Sequence, residues 1–238
     1  MGVIRRVRTA WSRHHRSAGF GIHSPHAFRF VTEVLGERRA YYAYDDIRLL
    51  RQAVIAAENS HWPHPRVMSN KNARMLLRIT NHFNPSRILQ VGTTYAMSTA
   101  VMLAVSSQSR LWLHEPHLDR YPVTELMLRP VAERVTHSTE LDTLLDDYLM
   151  ALGDDRPFVL VNNLHDDKDL TCLTDALTAM LSNEATLLFR HIDSDQRVKR
   201  VWDACCQALT AGQTYTNEKT GILIANPKLQ REHFDLWF

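Results

Sequence analysis

The chain of 238 residues has little cysteine, and no long apolar run interrupts its mixed composition. Its three cysteines cannot build a disulfide framework, and their positions lack the paired spacing of a zinc site. No stretch of about 18 consecutive apolar residues occurs, so no membrane span is expected. The arginines near the start are not followed by an apolar segment, which argues against a secretory signal. The expected location is the cytoplasm, with reduced thiols.

Charge of one sign and glycine-rich phosphate motifs are also scarce. The net charge of +2 is too small to predict a nucleic-acid partner for the whole molecule. The three spaced glycines of a dinucleotide loop are absent, and so is a phosphate loop ending in Gly-Lys-Ser or Gly-Lys-Thr. One basic arm without any acid stands apart from this balance, and it contains Arg5, Arg6, Arg8, Arg13 and Arg16. Such arms bind phosphates in some proteins, but a solvated terminal extension is the commoner explanation.

The 13 histidines are scattered along the chain. His23 and His26 flank a Ser-Pro pair, and His61 and His64 flank a Trp-Pro pair. Neither pair has carboxylates or cysteines beside it, although these are the usual companions of histidine in metal sites. We therefore expect no metal site.

What the sequence does contain is a short strand, a turn and a helix in succession. Residues 87–91 (RILQV) form an apolar run of strand length, Gly92 permits a tight turn, and Met97 and Val101 recur at helical spacing. In a parallel α/β sheet a ligand usually lies at the carboxyl end of the first strand, beside the amino terminus of the helix. A glycine at this turn lets a ligand approach the backbone, because no Cβ is in the way.

The rest of the chain extends this pattern. Helices are predicted over residues 27–35, 45–58 and 70–83, before the first strand. Strands are predicted at residues 87–91, 110–114, 131–137, 158–161, 185–189, 213–217 and 221–225, and residues 232–238 alternate in polarity. Helices between most of these strands predict an α/β fold with a doubly wound, mostly parallel sheet. The closing strand pair has no helix between its members, so we expect it to run antiparallel to its neighbours. We expect residues 1–84 to form a basic arm and a helical cap, and residues 85–238 a Rossmann-like core, as one structural unit.

This order resembles the class I S-adenosylmethionine-dependent methyltransferases, and within them the O-methyltransferase-like group. Gln90 and Gly92 stand in a Gln-Val-Gly-Thr segment where that group has Glu-Ile-Gly-Thr, and Ser98 opens the Ser-Thr pair that follows. Glu115 ends the second strand, where the family has an acid that binds the ribose hydroxyls. The segments GIHSPHAFRF and GILIANPKLQREHFDLWF also look like those of a bacterial branch of the family. The resemblance implies S-adenosylmethionine as cofactor, bound by Gln90, Gly92, Thr93, Thr94, Ser98, Glu115 and Asn162.

The chain departs from the family at several of these places. Gln90 replaces an acid, and Tyr95 stands near a usual glycine. Metal-dependent members have Asp after the fourth strand and an Asp-Asp or Asp-Asn pair after the fifth, whereas this chain has Asn162 and Arg190 there. Hard divalent cations prefer carboxylate ligands, so the resemblance implies catalysis without a metal, if the chain is active. Acids and histidines that follow strands four and five are candidates for a general base, and none is singled out among His165, Asp166, Asp167, His191 and Asp193.

Two functions therefore stay open. One is a methyltransferase that acts on a small acceptor, and the other is an inactive protein of methyltransferase fold with a binding or assembly role. Neither a membrane nor a nucleic acid is expected as partner. The identity of the acceptor and the oligomeric state, a homodimer included, stay open as well.

Overall fold

The computed structural model describes residues 13, 17–58, 67–120 and 122–238. Its strands form one sheet in the order β3-β2-β1-β4-β5-β7-β6-β8. They are β1 (Arg87–Val91), β2 (Arg110–His114), β3 (Val135–Ser138), β4 (Phe158–Val161), β5 (Ala185–Arg190), β6 (Gly212–Thr216), β7 (Thr220–Ala225) and β8 (Glu232–Asp235). Strands β1 to β5 are parallel, and β7 runs antiparallel to both β5 and β6. The predicted doubly wound, mostly parallel sheet with an antiparallel carboxyl-terminal strand is confirmed.

Helices cover both faces of this sheet. They are α1 (Pro25–Arg29), α2 (Ala43–Glu58), α3 (Asn70–Phe83), α4 (Met97–Leu103), α5 (Pro122–Leu128), α6 (Leu141–Leu152), α7 (Lys168–Met180) and α8 (Gln196–Ala208). A π-helical segment (Phe30–Leu35) extends α1. Helix α3 begins at a cap in which the Ser69 hydroxyl accepts from the N–H of Asn72, and it ends where Asn84 turns to a positive φ of 43°. Within the described ranges, no helix is long and apolar enough to cross a membrane.

Two details of the sheet differ from the prediction. Strand β3 begins at Val135, because the preceding segment (Arg129–Arg134) is a 3-10 helix with a proline in its first turn, where no backbone donor is needed. Strand β6 runs antiparallel to β7 as predicted but parallel to β8. The α8 crossover leaves β6 two positions beyond β5, and β7 folds back into the gap between them.

The two faces of the sheet bury separate apolar clusters. The first core takes residues from α2, α3 and α4, among them Val54, Leu76 and Met97. The second core takes residues from α6, α7 and α8, namely Leu144, Leu173, Val201 and their neighbours. Successive residues of a strand point to opposite faces, so β1, β2, β4, β5 and β7 contribute to both cores. This alternation also determines where the polar residues at the strand ends lie.

Only part of the basic arm falls within the described residues. Arg5, Arg6, Arg8 and Arg16 lie outside them, and so do His61 and His64. The guanidinium of Arg13 is half-buried between two carboxylates, with Nη2 2.6 Å from Glu218 and 2.7 Å from Asp235. Arg13 therefore bonds to the carboxyl-terminal strands of its own chain.

Candidate functional site

Four polar side chains lie on one face of the sheet at its carboxyl edge: Gln90, Glu115, Asn162 and Arg190. Each comes two residues after an apolar side chain of the first core, and those residues are Ile88, Leu113, Leu160 and Leu188. Because side chains two apart in a strand share a face, the four polar groups line the same side of the edge. The carboxyl ends of the parallel strands β2, β1, β4 and β5 bring them together.

Gln90 is fully buried and ties the turn after β1 to helix α4. Its Nε2 donates to the carbonyl oxygen of Gly92 and to the hydroxyl of Ser98, both at 3.0 Å. Its Oε1 accepts from the hydroxyl of Thr99 at 2.9 Å. Both amide hydrogens are thus used within the protein. An acid at this position would lack these two donors, so the amide suits the local geometry.

The turn at Gly92 is in direct contact with the loop after β4. Gly92 has a φ of +78°, and a Cβ placed there would collide with the backbone oxygen and the side chain of Asn163. The position therefore requires glycine both for its backbone conformation and for space. The neighbouring Thr93 is buried, and its hydroxyl has no hydrogen-bond partner in the structure.

Glu115 is 2% exposed and points its carboxylate at this turn. Its Oε2 accepts from the N–H of Thr93 at 2.8 Å, and its Oε1 accepts from the N–H of His117 at 3.1 Å. Nε2 of His165 lies 2.9 Å from the same Oε1. Burial alone would raise the pKa of Glu115, but the hydrogen bonds from His165 and Thr93 outweigh it and hold that pKa below its ordinary value.

His165 has two competing partners. The hydrogen bond to Glu115 raises the pKa of His165 against the opposing effect of burial. The same Nε2 lies 2.7 Å from Nδ2 of Asn163. A protonated Nε2 donates to Glu115, whereas an unprotonated Nε2 accepts from the Asn163 amide, so the proton decides which bond forms.

A chain of polar contacts continues from His165 to the far side of the edge. Asn162 donates from Nδ2 to Oδ1 of Asn163 at 3.1 Å. Nη1 of Arg190 donates to Oδ1 of Asn162 at 2.7 Å. The contacts thus connect Glu115, an anion beside β1, with Arg190, a cation at the end of β5.

Tyr95 lies in the loop between β1 and α4. Tyr95 and Ala96 both have left-handed backbone conformations, with φ of 57° and 49°. Such conformations cost roughly 1–2 kcal/mol for each residue with a Cβ. They turn the Tyr95 side chain into the first core, where it is 4% exposed.

The remaining candidates from the sequence have local structural contacts. Asp166 accepts from the N–H of Lys168 at the start of α7, and Asp167 pairs with Arg197 at 2.7 Å. Ser98 is engaged by Gln90. Exposed positions are occupied by His191 and Asp193, and Thr94 is partly exposed. Of the predicted residues, Glu115, Thr93 and Gly92 are therefore the ones that face each other around the turn.

Sequence reasoning missed two contacts at this edge. It treated His165 as one of several equivalent candidates, although His165 is the side chain that contacts Glu115. It also treated Asn162 as a cofactor ligand and Arg190 as a departure, without joining them. The signal for the second contact was that Asn162 and Arg190 lie at the carboxyl ends of neighbouring parallel strands, since such residues meet at one edge.

The chain matches no protein-family model and no curated protein. Its structure is similar to that of the O-methyltransferase from Bacillus cereus in complex with SAH, with 14% identity and a TM-score of 0.52, over 83% of this chain and 96% of that one. It is also similar to TomG from Streptomyces achromogenes, an O-methyltransferase involved in tomaymycin synthesis and solved in complex with SAM. That match has 14% identity and a TM-score of 0.52, over 91% of this chain and 98% of TomG.

These likenesses define the class of fold. The sheet order, the antiparallel β7 and the helices on both faces form a class I O-methyltransferase-like fold of the Rossmann-like type. The resemblance inferred from the sequence is confirmed at this level. At identities this low, the likeness concerns the fold alone.

Proposed function

We propose that this chain binds S-adenosylmethionine at the edge formed by β1 and β2 and methylates a small acceptor without a metal. The observation that carries the proposal is the buried carboxylate of Glu115, aimed at the glycine turn that follows β1. A carboxylate in this place suits the two hydroxyls of a ribose, since charge-assisted hydrogen bonds are the strong kind. When bound, the cofactor supplies an electrophilic methyl group on its sulfonium.

The residues at this edge fit a nucleoside only after two contacts open. The unpartnered hydroxyl of Thr93 suits a polar ligand, whereas Asn163 occupies the space beside Gly92 and has to move away. A carboxylate accepts about four hydrogen bonds, and three of these positions on Glu115 are already occupied. One acceptor position is left, whereas a ribose diol donates two hydrogens. The fit therefore requires His165 to give up its bond.

The donor chemistry at the ends of β4 and β5 supports a metal-free reaction. Divalent cations need several oxygen ligands, preferably carboxylates. Oδ1 of Asn162, directly after β4, is bonded to the guanidinium of Arg190 at the end of β5. A fixed positive charge at this place repels a cation.

Titration calorimetry tests the proposal directly. The wild-type protein is titrated with S-adenosylhomocysteine and S-adenosylmethionine, and Glu115→Gln is compared with Glu125→Gln on α5, whose carboxylate is exposed. We expect micromolar binding by the wild type and by Glu125→Gln. Glu115→Gln is expected to bind at least about tenfold more weakly, because a hydrogen bond to a charged group contributes roughly 1.5–3 kcal/mol. A folded wild type that binds neither ligand would overturn the proposal.

A second candidate is a protein that keeps the fold for a binding or assembly role. The observation that favours it is the closed state of the edge: Asn163 packs on Gly92, and His165 occupies Glu115. The two candidates differ in the same titration. If neither ligand binds to the folded wild type, while unfolding remains cooperative, the second candidate is supported.

A further inference from the structure

Arg190 is a cation without a counter-ion of its own. It ends β5, and its one side-chain hydrogen bond to the described residues joins Nη1 to the neutral amide of Asn162. Other arginines of the chain behave differently: Arg13 contacts two carboxylates, and Arg197 contacts Asp167. Across the residues that the structure describes, no carboxylate forms an ion pair with Arg190.

The guanidinium of Arg190 is partly shielded from water. Burial lowers its pKa to about 10, so the group still carries its charge at neutral pH. A buried charge without an opposite charge costs stability. An anionic ligand would offset this cost.

The free side of the guanidinium has the shape for a carboxylate. With Nη1 bonded to Asn162, the N–H groups of Nε and Nη2 have no acceptor among the described residues. These two groups point in parallel and match the two oxygens of a carboxylate. Arg190 is only partly buried, so solvent and small ligands reach it. It also lies on the same face of the edge as Glu115, with β1 and β4 between their two strands.

We propose that Arg190, held by Asn162, binds a carboxylate of the methyl acceptor, so that the substrate class is small carboxylic acids. That the bound carboxylate belongs to the methyl acceptor rests on the proposed function. The anion site itself rests on the geometry of Arg190. The carboxylate is the handle that orients the molecule, and the methylated atom lies elsewhere on it. A guanidinium at this place rejects cationic acceptors and leaves neutral ones without a partner.

Ligand titration without cofactor tests the anion site. Benzoate is the probe, benzamide is its neutral isostere, and inorganic phosphate is the competing anion. Binding is followed by chemical shifts of backbone amides in the wild type, Arg190→Gln and Arg190→Lys. Arg129→Gln is the control, since its guanidinium is exposed on the 3-10 segment after α5. We expect benzoate to bind the wild type and Arg129→Gln, and to bind Arg190→Gln at least about tenfold more weakly.

Arg190→Lys is expected to bind benzoate more tightly than Arg190→Gln but more weakly than the wild type, because lysine keeps the charge but lacks the two parallel N–H groups of the guanidinium. Equal binding of benzoate and benzamide, or unchanged affinity in Arg190→Gln, would overturn the proposal. Tighter binding of phosphate than of benzoate would overturn the carboxylate class.

Thermal unfolding of the free proteins separates a ligand site from a structural role. Because the unpaired charge costs stability, Arg190→Gln is expected to melt at the wild-type temperature or a few degrees above it. A melting temperature several degrees lower would assign Arg190 to the scaffold and overturn the inference. Calorimetry with S-adenosylhomocysteine is independent of this site. If the cofactor binds and benzoate does not, only the inference about Arg190 is overturned. If benzoate binds and the cofactor does not, only the proposed function is overturned.

Discussion

Replacing His165 with alanine is expected to increase the affinity for S-adenosylhomocysteine. In the free protein, Nε2 of His165 lies 2.9 Å from Oε1 of Glu115 and takes an acceptor position that a ribose hydroxyl needs. A nucleoside must therefore break this bond before it can use both oxygens of Glu115. In His165→Ala the position is already free, and binding no longer carries that cost.

The size of the effect follows from the burial of the pair. The side chain of Glu115 is 3% exposed and that of His165 is 27% exposed, so solvent screens the contact only in part. We take the cost of breaking this hydrogen bond as about 1–2 kcal/mol, between an exposed ion pair and a buried charged one. This corresponds to an affinity gain of about five- to thirtyfold in His165→Ala.

The gain is expected to depend on pH with a definite sign. Glu115 raises the pKa of His165, and the weaker effects of Arg120 and Asp195 have opposite signs. Below the ordinary histidine pKa of about 6.5, His165 is protonated and holds Glu115. As the pH rises through the raised pKa, His165 becomes neutral, and its contact with Glu115 loses the attraction between opposite charges. The wild-type affinity is therefore expected to rise with pH, while that of His165→Ala stays flat.

Calorimetric titrations at pH 6 and pH 9 measure the affinity of the wild type and of His165→Ala for S-adenosylhomocysteine. His233→Ala is the control, because His233 is exposed on β8. His233→Ala is expected to behave as the wild type does. The reasoning fails if His165→Ala binds no more tightly than the wild type at pH 6. It also fails if the wild-type affinity does not change between the two pH values.

Two further predictions concern stability and are checked by urea unfolding. Gly92→Ala adds a Cβ at a positive φ and against Asn163, so a loss of about 3 kcal/mol or more is expected. Gly153→Ala also adds a Cβ at a positive φ, but this Cβ meets no described atom within 4 Å, so a smaller loss is expected; equal losses would contradict the proposed contact. Gln90→Glu removes two buried donors, so a loss of about 2–4 kcal/mol is expected at pH 7, and a smaller one at low pH where the new carboxyl is protonated. Wild-type stability of Gln90→Glu at pH 7 would refute this role.

Much of the fold was predictable because turn residues mark the ends of the apolar runs. The predicted limits of β1, β2, β4 and α3 agree with the structure, and each of these elements ends at a glycine, a proline or an asparagine or lies close to one. The start of β3 was misplaced because Val131 extends an apolar pattern that Pro130 converts to a 3-10 helix. The direction of β8 depends on which strand lies at the edge of the sheet after β7 has inserted between β5 and β6. The local sequence pattern of β8 does not indicate which strand that is.

The site was predictable only as a set of strand ends. Gly92 was identified because it directly follows an apolar strand, and Glu115 because the family that this chain resembles has an acid at the end of the second strand. The bond between Arg190 and Asn162 depends on β4 and β5 being neighbours, and 28 positions separate the two residues in the chain. The sequence left the orientation of Tyr95 open, since its burial goes with a left-handed backbone that tyrosine rarely adopts.

The two candidate functions differ in one balance of free energy. Opening the edge means breaking the bond from His165 to Glu115 and moving Asn163 off Gly92. In return, a nucleoside gains two hydrogen bonds to a buried carboxylate and a partner for the hydroxyl of Thr93. Each bond gained at a charged group is of about the same size as the one lost, so the gain exceeds the cost if the loop after β4 moves without unfolding. The chain is then a methyltransferase whose closed edge is its resting state. If the movement of the loop costs more than one such bond, the same contacts make the edge part of the scaffold, and the proposed anion site at Arg190 does not depend on that movement.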